Sequence, residues 1–222
     1  MAILITGGSG FLGQALTPLL LKKGHTVYSL SRHPPVGSRK LIAVRGDITK
    51  TDLGMDGVPE DITTVYHLAG VHTLRKEDKG GQIYESNVVG TRNVIDFCEE
   101  HQVKHLFFTS TAYTWGINPY GKSKIQNELD LRAFAERFAI KLTVFKPSIV
   151  MGTPEHPYPG HFSKFISGLI YTHQRAELVR RKIEGTMRLP VIEPLFRIKG
   201  NPKGKLNLVS VDAVVKAISR IK

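Results

Sequence analysis

Short runs of β-branched and other apolar residues alternate with longer stretches of helical spacing through the first two thirds of the chain. The runs at 2–5, 26–30, 41–44, 63–67, 104–109 and 141–145 predict strands, and this alternation is the pattern of a parallel sheet covered by helices. Between the fourth and fifth runs, Val88, Thr91, Ile95 and Cys98 recur at intervals of three and four, which predicts an amphipathic helix with Cys98 on its buried stripe. The helix after the first strand is expected to start near Gly10 and to stop at Lys22-Lys23-Gly24, a basic last turn followed by glycine. Pro18 lies inside it, and an interior proline, at a cost of about 3 kcal/mol, predicts a kink or a shorter helix.

After Met151 the pattern changes. Thr153-Pro154-Glu155-His156-Pro157-Tyr158-Pro159-Gly160 predicts a loop, because three prolines in eight residues forbid regular structure. Beyond it, 162–172 reads as helix, 188–205 as proline-broken and basic, 206–209 as a short strand and 211–221 as a helix. The expected fold class is therefore α/β, a Rossmann-type doubly wound parallel sheet over residues 1–150. Residues 151–222 form a small region packed on its substrate side.

Composition narrows the setting. With 222 residues, 41% hydrophobic and 23% charged, the chain is long enough to bury a core without a disulfide or metal staple, and it is neither disordered nor fibrous. The single Cys98 has no partner for a disulfide or a thiolate zinc site, which fits a reducing cytoplasm. No signal peptide and no run of about 20 apolar residues is read, so neither secretion nor a membrane span is expected. Net charge is +12, and the stretch after Val150 holds 13 basic against 5 acidic residues. Such an excess gathers anions. No nucleic-acid recognition motif with interleaved aromatics accompanies it, so the expected partner is a small molecule, one reading being a substrate with an anionic handle.

The chemistry begins at Thr6-Gly7-Gly8-Ser9-Gly10-Phe11-Leu12-Gly13, glycines at 7, 10 and 13 between a predicted strand and a predicted helix. That context is the dinucleotide fingerprint: Gly7 for the tight turn, Gly10 for approach to a pyrophosphate, Gly13 for close helix-to-sheet contact. An acid at the end of the second strand would hold the ribose hydroxyl of NAD. The chain has Ser31-Arg32-His33 there, with Arg39-Lys40 behind, and a guanidinium suits the 2′-phosphate of NADP, so NADP is preferred over NAD. A second constellation is Thr109-Ser110-Thr111 followed by Tyr120-Gly121-Lys122-Ser123-Lys124. Tyr120 and Lys124 share a helix face, where an ammonium would lower the phenol pKa, and a hydroxyl of Thr111 or Ser110 would orient a carbonyl.

Taken with Gly46-Asp47-Ile48, His67-Leu68-Ala69-Gly70, Asn87-Val88-Val89-Gly90-Thr91, Lys146-Pro147-Ser148-Ile149-Val150-Met151-Gly152 and Val209-Ser210-Val211-Asp212-Ala213-Val214, these motifs make the chain resemble the extended short-chain dehydrogenase/reductase superfamily. Phe108-Thr109-Ser110-Thr111-Ala112 and the closing 206–212 segment look similar to its thioester and fatty-acyl reductase branch. The resemblance implies a Rossmann domain binding NAD(P), with the motif of Gly7, Ser9, Gly10, Phe11, Leu12 and Gly13 on the phosphates and Ser31 and Arg32 at the ribose. It puts Asp47 and Ile48 at the adenine, Leu68, Ala69 and Gly70 on the fourth strand's motif, and Pro147, Ser148 and Val150 near the nicotinamide. It makes Tyr120 the acid/base, Lys124 the ribose and proton-tuning cation, Thr111 the hydroxyl partner, and Asn87 a cofactor-side or supporting residue. The activity implied is hydride transfer to or from a carbonyl, hydroxyl or thioester substrate. A nucleotide-sugar epimerase or dehydratase, or a non-catalytic dinucleotide-binding protein, stands as the alternative.

Two departures from the family stand out: only eight residues separate Thr111 from Tyr120, and the region after Val150 is short. Both predict a substrate pocket that stays open or is completed by another chain, as in a homodimer. His156 and His161 flank the proline-rich loop, but Glu155 is the only acid close by and no cysteine is near, so a solvated loop is expected and no metal site. His67 reads as structural, and Trp115 and Tyr113 as lining the pocket mouth or covering a sheet edge.

Overall fold

A computed structural model describes residues 1–222 except 58, 60, 74, 75, 159, 192–200, 202 and 222, with the backbone alone described at 161–163 and 165. Six parallel strands, β1 (Ala2–Thr6), β2 (Thr26–Ser31), β3 (Leu41–Arg45), β4 (Ile62–His67), β5 (His105–Thr109) and β6 (Lys141–Phe145), stand in the order β3-β2-β1-β4-β5-β6. The winding reverses between β1 and β4, so the crevice for a ligand opens at the carboxyl ends of these two strands. All five residues of β1 are buried, as its central place in the sheet requires.

Side chains alternate to two cores. Leu4, Leu30, Val65, Leu106 and Phe108 face one side, where α2 (Gly90–Glu100) adds Val94, Phe97 and Cys98, and α3 (Pro119–Phe138) adds Leu131 and Phe134. Ile3, Ile5, Val27, Tyr66 and Phe107 face the other, against Ala15, Leu16 and Leu20 of α1 (Phe11–Lys22). Tyr66 stacks on Phe107 with centroids 4.2 Å apart. Cys98 is 1% exposed, and burial raises its pKa, which leaves it an inert packing residue. Helix α1 runs on through Pro18 and is not cut short.

Two irregularities lie beside the crevice. After β3 the chain makes a left-handed turn, with φ of 49° at Asp52, 55° at Leu53 and 61° at Gly54. Strain of about 1–3 kcal/mol per non-glycine residue is expected there, and the turn holds because Leu53 is fully buried and its carbonyl accepts the Asp47 N–H at 2.7 Å. Before α2 a π-helical stretch, Tyr84–Val89, widens the coil and turns Asn87 inward.

Packing does not divide the chain at Val150. Strands β7 (Ile149–Met151) and β8 (Leu208–Ser210) pair in parallel, and α5 (Val211–Arg220) sets Val211, Val214, Val215 and Ile218 into the second core beside α1. Helix α4 (His161–Met187) is longer than the 162–172 expected and leaves Ile170, Leu178 and Val179 exposed. The expected strand at 206–209 is β8, shifted toward the C-terminus, and most of the basic 188–205 stretch lies outside the described residues. The proline-rich loop is tied down rather than merely solvated: His156 Nδ1 pairs with Asp212 at 2.9 Å, and Tyr158 stacks on Phe11 at 4.2 Å while its hydroxyl meets His72 Nε2 at 2.7 Å. No helix among the described residues is long and apolar enough to cross a membrane.

Candidate active site

The nucleotide end is built from backbone. Gly7 adopts φ +75°, and its N–H and that of Gly8 both donate to the Leu30 carbonyl, at 2.9 and 3.1 Å. A Cβ at Gly7 would stand 2.8 Å from the Ala69 nitrogen, and one at Gly13 would run into the Gly7 carbonyl, so the loop closes onto α1 only with glycine at both places. Gly10 caps α1 without a side-chain bond, and no acid occupies the first turn. The helix therefore presents free N–H groups and a positive dipole end to an anion.

A cavity of about 270 Å³ lies against this end. Ten of the residues singled out in the sequence line it: Gly7, Ser9, Gly10, Ser31, Arg32, Asp47, Ile48, Leu68, Ala69 and Gly70. Phe11, Leu12 and Gly13 sit in the first turn of α1 and outside the lining, and so do Pro147, Ser148, Val150, Tyr120 and Lys124. His33 and Gly46, which belong to the motifs quoted but were not named as site residues, also line it, and so do Leu30, Val71 and Ser86, which were missed as neighbours of the motifs rather than members of them.

The lining fits the adenosine and phosphate half of a dinucleotide. Ser31 Oγ is buried without a hydrogen-bond partner, as an atom awaiting a ligand hydroxyl or phosphate would be. Burial pushes the Asp47 carboxyl up. The Thr49 N–H and hydroxyl, at 3.0 and 2.9 Å, together with the charges of Arg32 and Lys50, bring it below the usual carboxylate range. Asp47 thus stays ionised, and Arg32, exposed at the rim, acts on it through charge, with no ion pair of its own among the described residues.

The Tyr120 end of the candidate site is held by α3. Asn118 caps it by accepting the Gly121 N–H at 2.8 Å, with Pro119 at the first position. One turn later Lys124 reaches under the sheet end: its Nζ donates to the Thr109 carbonyl at 2.9 Å, lies 4.7 Å from the Phe108 ring centre and 5.8 Å from that of Tyr120. Burial lowers Lys124 to about 8, against a smaller upward pull from Glu128.

The expectation that this ammonium lowers the Tyr120 phenol is corrected here. Burial raises Tyr120, and the Lys124 Nζ donates to the Thr109 carbonyl. The Tyr120 hydroxyl makes no hydrogen bond among the described residues. Of the two neighbouring hydroxyls, Ser110 is taken up by Glu128 at 2.5 Å, and Glu128 also holds Lys146 at 2.9 Å. Thr111 only accepts, from the Tyr113 N–H at 3.1 Å, so its own proton stays available to a substrate oxygen.

Asn87 joins the two ends. Its carboxamide oxygen accepts the Val71 N–H at 2.7 Å, and its nitrogen donates to the Val71 carbonyl and to Ser123 Oγ, both at 3.0 Å. Its backbone carbonyl accepts from Thr91 Oγ1 at 2.5 Å and from Asn127 Nδ2 at 2.8 Å. Since Thr91 donates there, it must accept from His67 Nε2 at 3.0 Å, which fixes the Nε2–H tautomer and makes Nδ1 the acceptor from Thr6 at 2.7 Å. His67 is held neutral, pushed down to about 3 by burial and by Lys124. This relay through Thr6, His67, Thr91, Asn127 and Ser123 was not read from sequence. Nor was Glu128, which holds Ser110 and Lys146, although the spacing of Tyr120, Lys124 and Glu128 at four-residue steps on one helix was a signal for it.

A nucleotide-binding doubly wound sheet with a tyrosine and a lysine one helical turn apart beyond β5 defines the class. The sequence matches the NAD dependent epimerase/dehydratase family over residues 3–220, and the chain belongs to that family. It is 33% identical over 149 residues to a UDP-glucose 4-epimerase of Halalkalibacterium halodurans, covering 58% of this chain and 44% of that protein. It is 34% identical over 116 residues to a 2-alkyl-3-oxoalkanoate reductase of Stenotrophomonas maltophilia, covering 50% and 33%. The chain thus spans less than half the length of these relatives. In fold it is similar to a UDP-glucuronic acid 4-epimerase from Bacillus cereus in complex with UDP-glucuronic acid and NAD, with a TM-score of 0.70 and 19% identity, covering 98% of this chain and 72% of that one.

Proposed function

We propose that the chain is an NAD(P)-dependent oxidoreductase that transfers a hydride to or from a carbonyl, hydroxyl or thioester carbon, with NADP(H) preferred. The observation that carries this reading is the half-buried phenol of Tyr120, which makes no hydrogen bond among the described residues, with Lys124 Nζ 5.8 Å from its ring centre. A bound nicotinamide supplies the hydride. The protein's own part is to hold a substrate oxygen between Thr111 and Tyr120, which exchanges the proton with it. A phenol raised by burial holds its proton and can give it to the oxygen of a carbonyl that is being reduced. The opposite direction needs the phenolate, and the Lys124 ammonium, when protonated, is the charge nearest to stabilise it. Asn87 is a positioning residue, because both ends of its amide are committed to protein.

Arg32 at the rim and the lack of an acid in Ser31-Arg32-His33 support NADP; Asp47, bound by Thr49, is left to the adenosine. A single buried Cys98 fits a cytoplasmic location. A nucleotide-sugar epimerase would use the same tyrosine and lysine but return its cofactor unchanged. The test is consumption: purified chain with NADPH or NADH and a panel of ketones, aldehydes and acyl thioesters, followed at 340 nm. Oxidation of NADPH that stops with Tyr120→Phe is the expected result. Interconversion of UDP-sugars with no net change in cofactor would overturn it in favour of the epimerase. Tight cofactor binding with neither reaction would point to a binding protein.

A further inference from the structure

The segment joining Thr111 to Tyr120 carries no charge in a strongly basic chain: Lys104 and Lys122 have no Lys, Arg, Asp or Glu between them. It is nonetheless a built surface. Ala112 N–H donates to the Pro147 carbonyl at 2.9 Å, Tyr113 N–H to Thr111 Oγ1 at 3.1 Å, and Asn118 caps α3. In the middle, Gly116 turns with φ +67°, its nitrogen 3.5 Å from where a Cβ of Gly121 would stand. Residue 116 therefore lies beside the residue that follows Tyr120. From this pinned backbone Trp115 and Ile117 project outward, 71% and 77% exposed, and Trp115 rests edge-on against Tyr113, centroids 5.5 Å apart at 88°.

We propose that Trp115 and Ile117, backed by Tyr113, are the surface that recognises the substrate's body, and that this body is uncharged and apolar, an alkyl chain or hydrocarbon ring attached to the reacting carbonyl. The assignment rests on the oxidoreductase reading above for the place of the carbonyl, between Thr111 and Tyr120. The 112–119 segment that joins these two residues is the lip beside them, and it offers an exposed ring and an aliphatic side chain with no Lys or Arg to pair a phosphate. Two side chains are far too small a patch for a stable contact with a second copy, which needs about 800 Å² from each partner. An exposed ring fixed beside a reacting centre suits a small apolar group, since burying each added methylene tightens binding about four-fold.

Trp115 is the only tryptophan in the chain, so its emission reports the lip directly. The experiment titrates the full chain, saturated with NADP⁺, with straight-chain 2-ketones from butanone to dodecanone, reading Trp115 fluorescence, and repeats this on Tyr120→Phe. With NADPH the same series is followed for kcat and KM. The expected result is a saturable emission change with Kd falling about four-fold per methylene until the lip is covered. The same slope should appear in KM, be lost in Trp115→Ala and be kept in Trp115→Phe. Binding on Tyr120→Phe should follow the same slope, because the lip does not depend on the proton carrier. Emission that ignores every ketone overturns the proposal, and so does a slope unchanged by Trp115→Ala. Emission that follows protein concentration puts a second copy on the lip instead, and a response to UDP-glucose alone puts a nucleotide sugar there. A chain-length slope in emission with no NADPH consumption would overturn the oxidoreductase reading and leave the apolar lip standing.

Discussion

Helices α4 and α5 both come from the 72 residues after Val150, yet they meet the rest of the molecule differently. In α5, Val211, Val214, Val215 and Ile218 repeat at three and four, and all four are buried against α1 and the sheet. In α4, 27 residues long, Ile170 is 53% and Leu178 63% exposed, and Arg180 bridges Glu177 and Glu184 on its own helix. The contrast teaches that neither length nor helical propensity joins a segment to a domain. A continuous apolar stripe does, and α5 has one where α4 scatters its apolar residues. The site follows the same division, since the described lining of the nucleotide cavity comes wholly from before Val150.

The sharpest way to break this comparison is chemical. Tyr120→Phe removes only the proton carrier and should lower turnover about 10²- to 10⁴-fold while leaving dinucleotide affinity intact, measured by steady-state kinetics beside calorimetry. A comparable loss from an alanine on α4, such as Leu178→Ala, would place catalysis partly in the C-terminal region. Stability gives the next contrast: Ile218→Ala in α5 should cost about 2–5 kcal/mol in urea unfolding, Leu178→Ala no more than about 0.5 kcal/mol. Equal costs would mean that α4 has a buried partner.

The pH dependence sharpens the picture of Lys124. Its folded pKa of about 8 lies below the ordinary 10.5, so the unfolded chain binds the extra proton between them. The burial penalty is fully present below about pH 8 and disappears as pH rises to about 10.5, so this group makes the fold more stable across that window, by at most about 3 kcal/mol. Lys124→Met should lack that rise in pH-resolved unfolding.

Next comes Arg32→Ala, which should weaken NADP(H) about ten-fold or more, since a charged hydrogen bond is worth about 1.5–3 kcal/mol, and leave NAD(H) unchanged. The least effect expected is on salt dependence. If the excess after Val150 draws in a substrate with an anionic handle, its specificity constant should fall modestly as ionic strength rises, while that of a neutral analogue stays level. Equal salt responses would leave α4's charges as solvated surface.

Local pattern determined much of this protein. The β-branched runs named all six main strands to within a residue or so, since apolar stretches of that length can bury both faces only in a covered parallel sheet. Glycine spacing marked the nucleotide loop, because Gly7 and Gly13 are positions where a Cβ collides with backbone. Tertiary structure alone decided the rest. That Thr111 keeps a free proton while Ser110 does not depends on Glu128, 18 residues further on in α3, and the raised Tyr120 phenol on how the packed fold buries it. The left-handed turn at Leu53, the π-helical bend that aims Asn87, and the relay from Thr6 through His67 to Thr91 are likewise set by partners brought together from up to 61 residues apart. Such contacts leave no periodic trace in the chain, because hydrogen-bond partners are selected by the packed fold and not by spacing along the sequence.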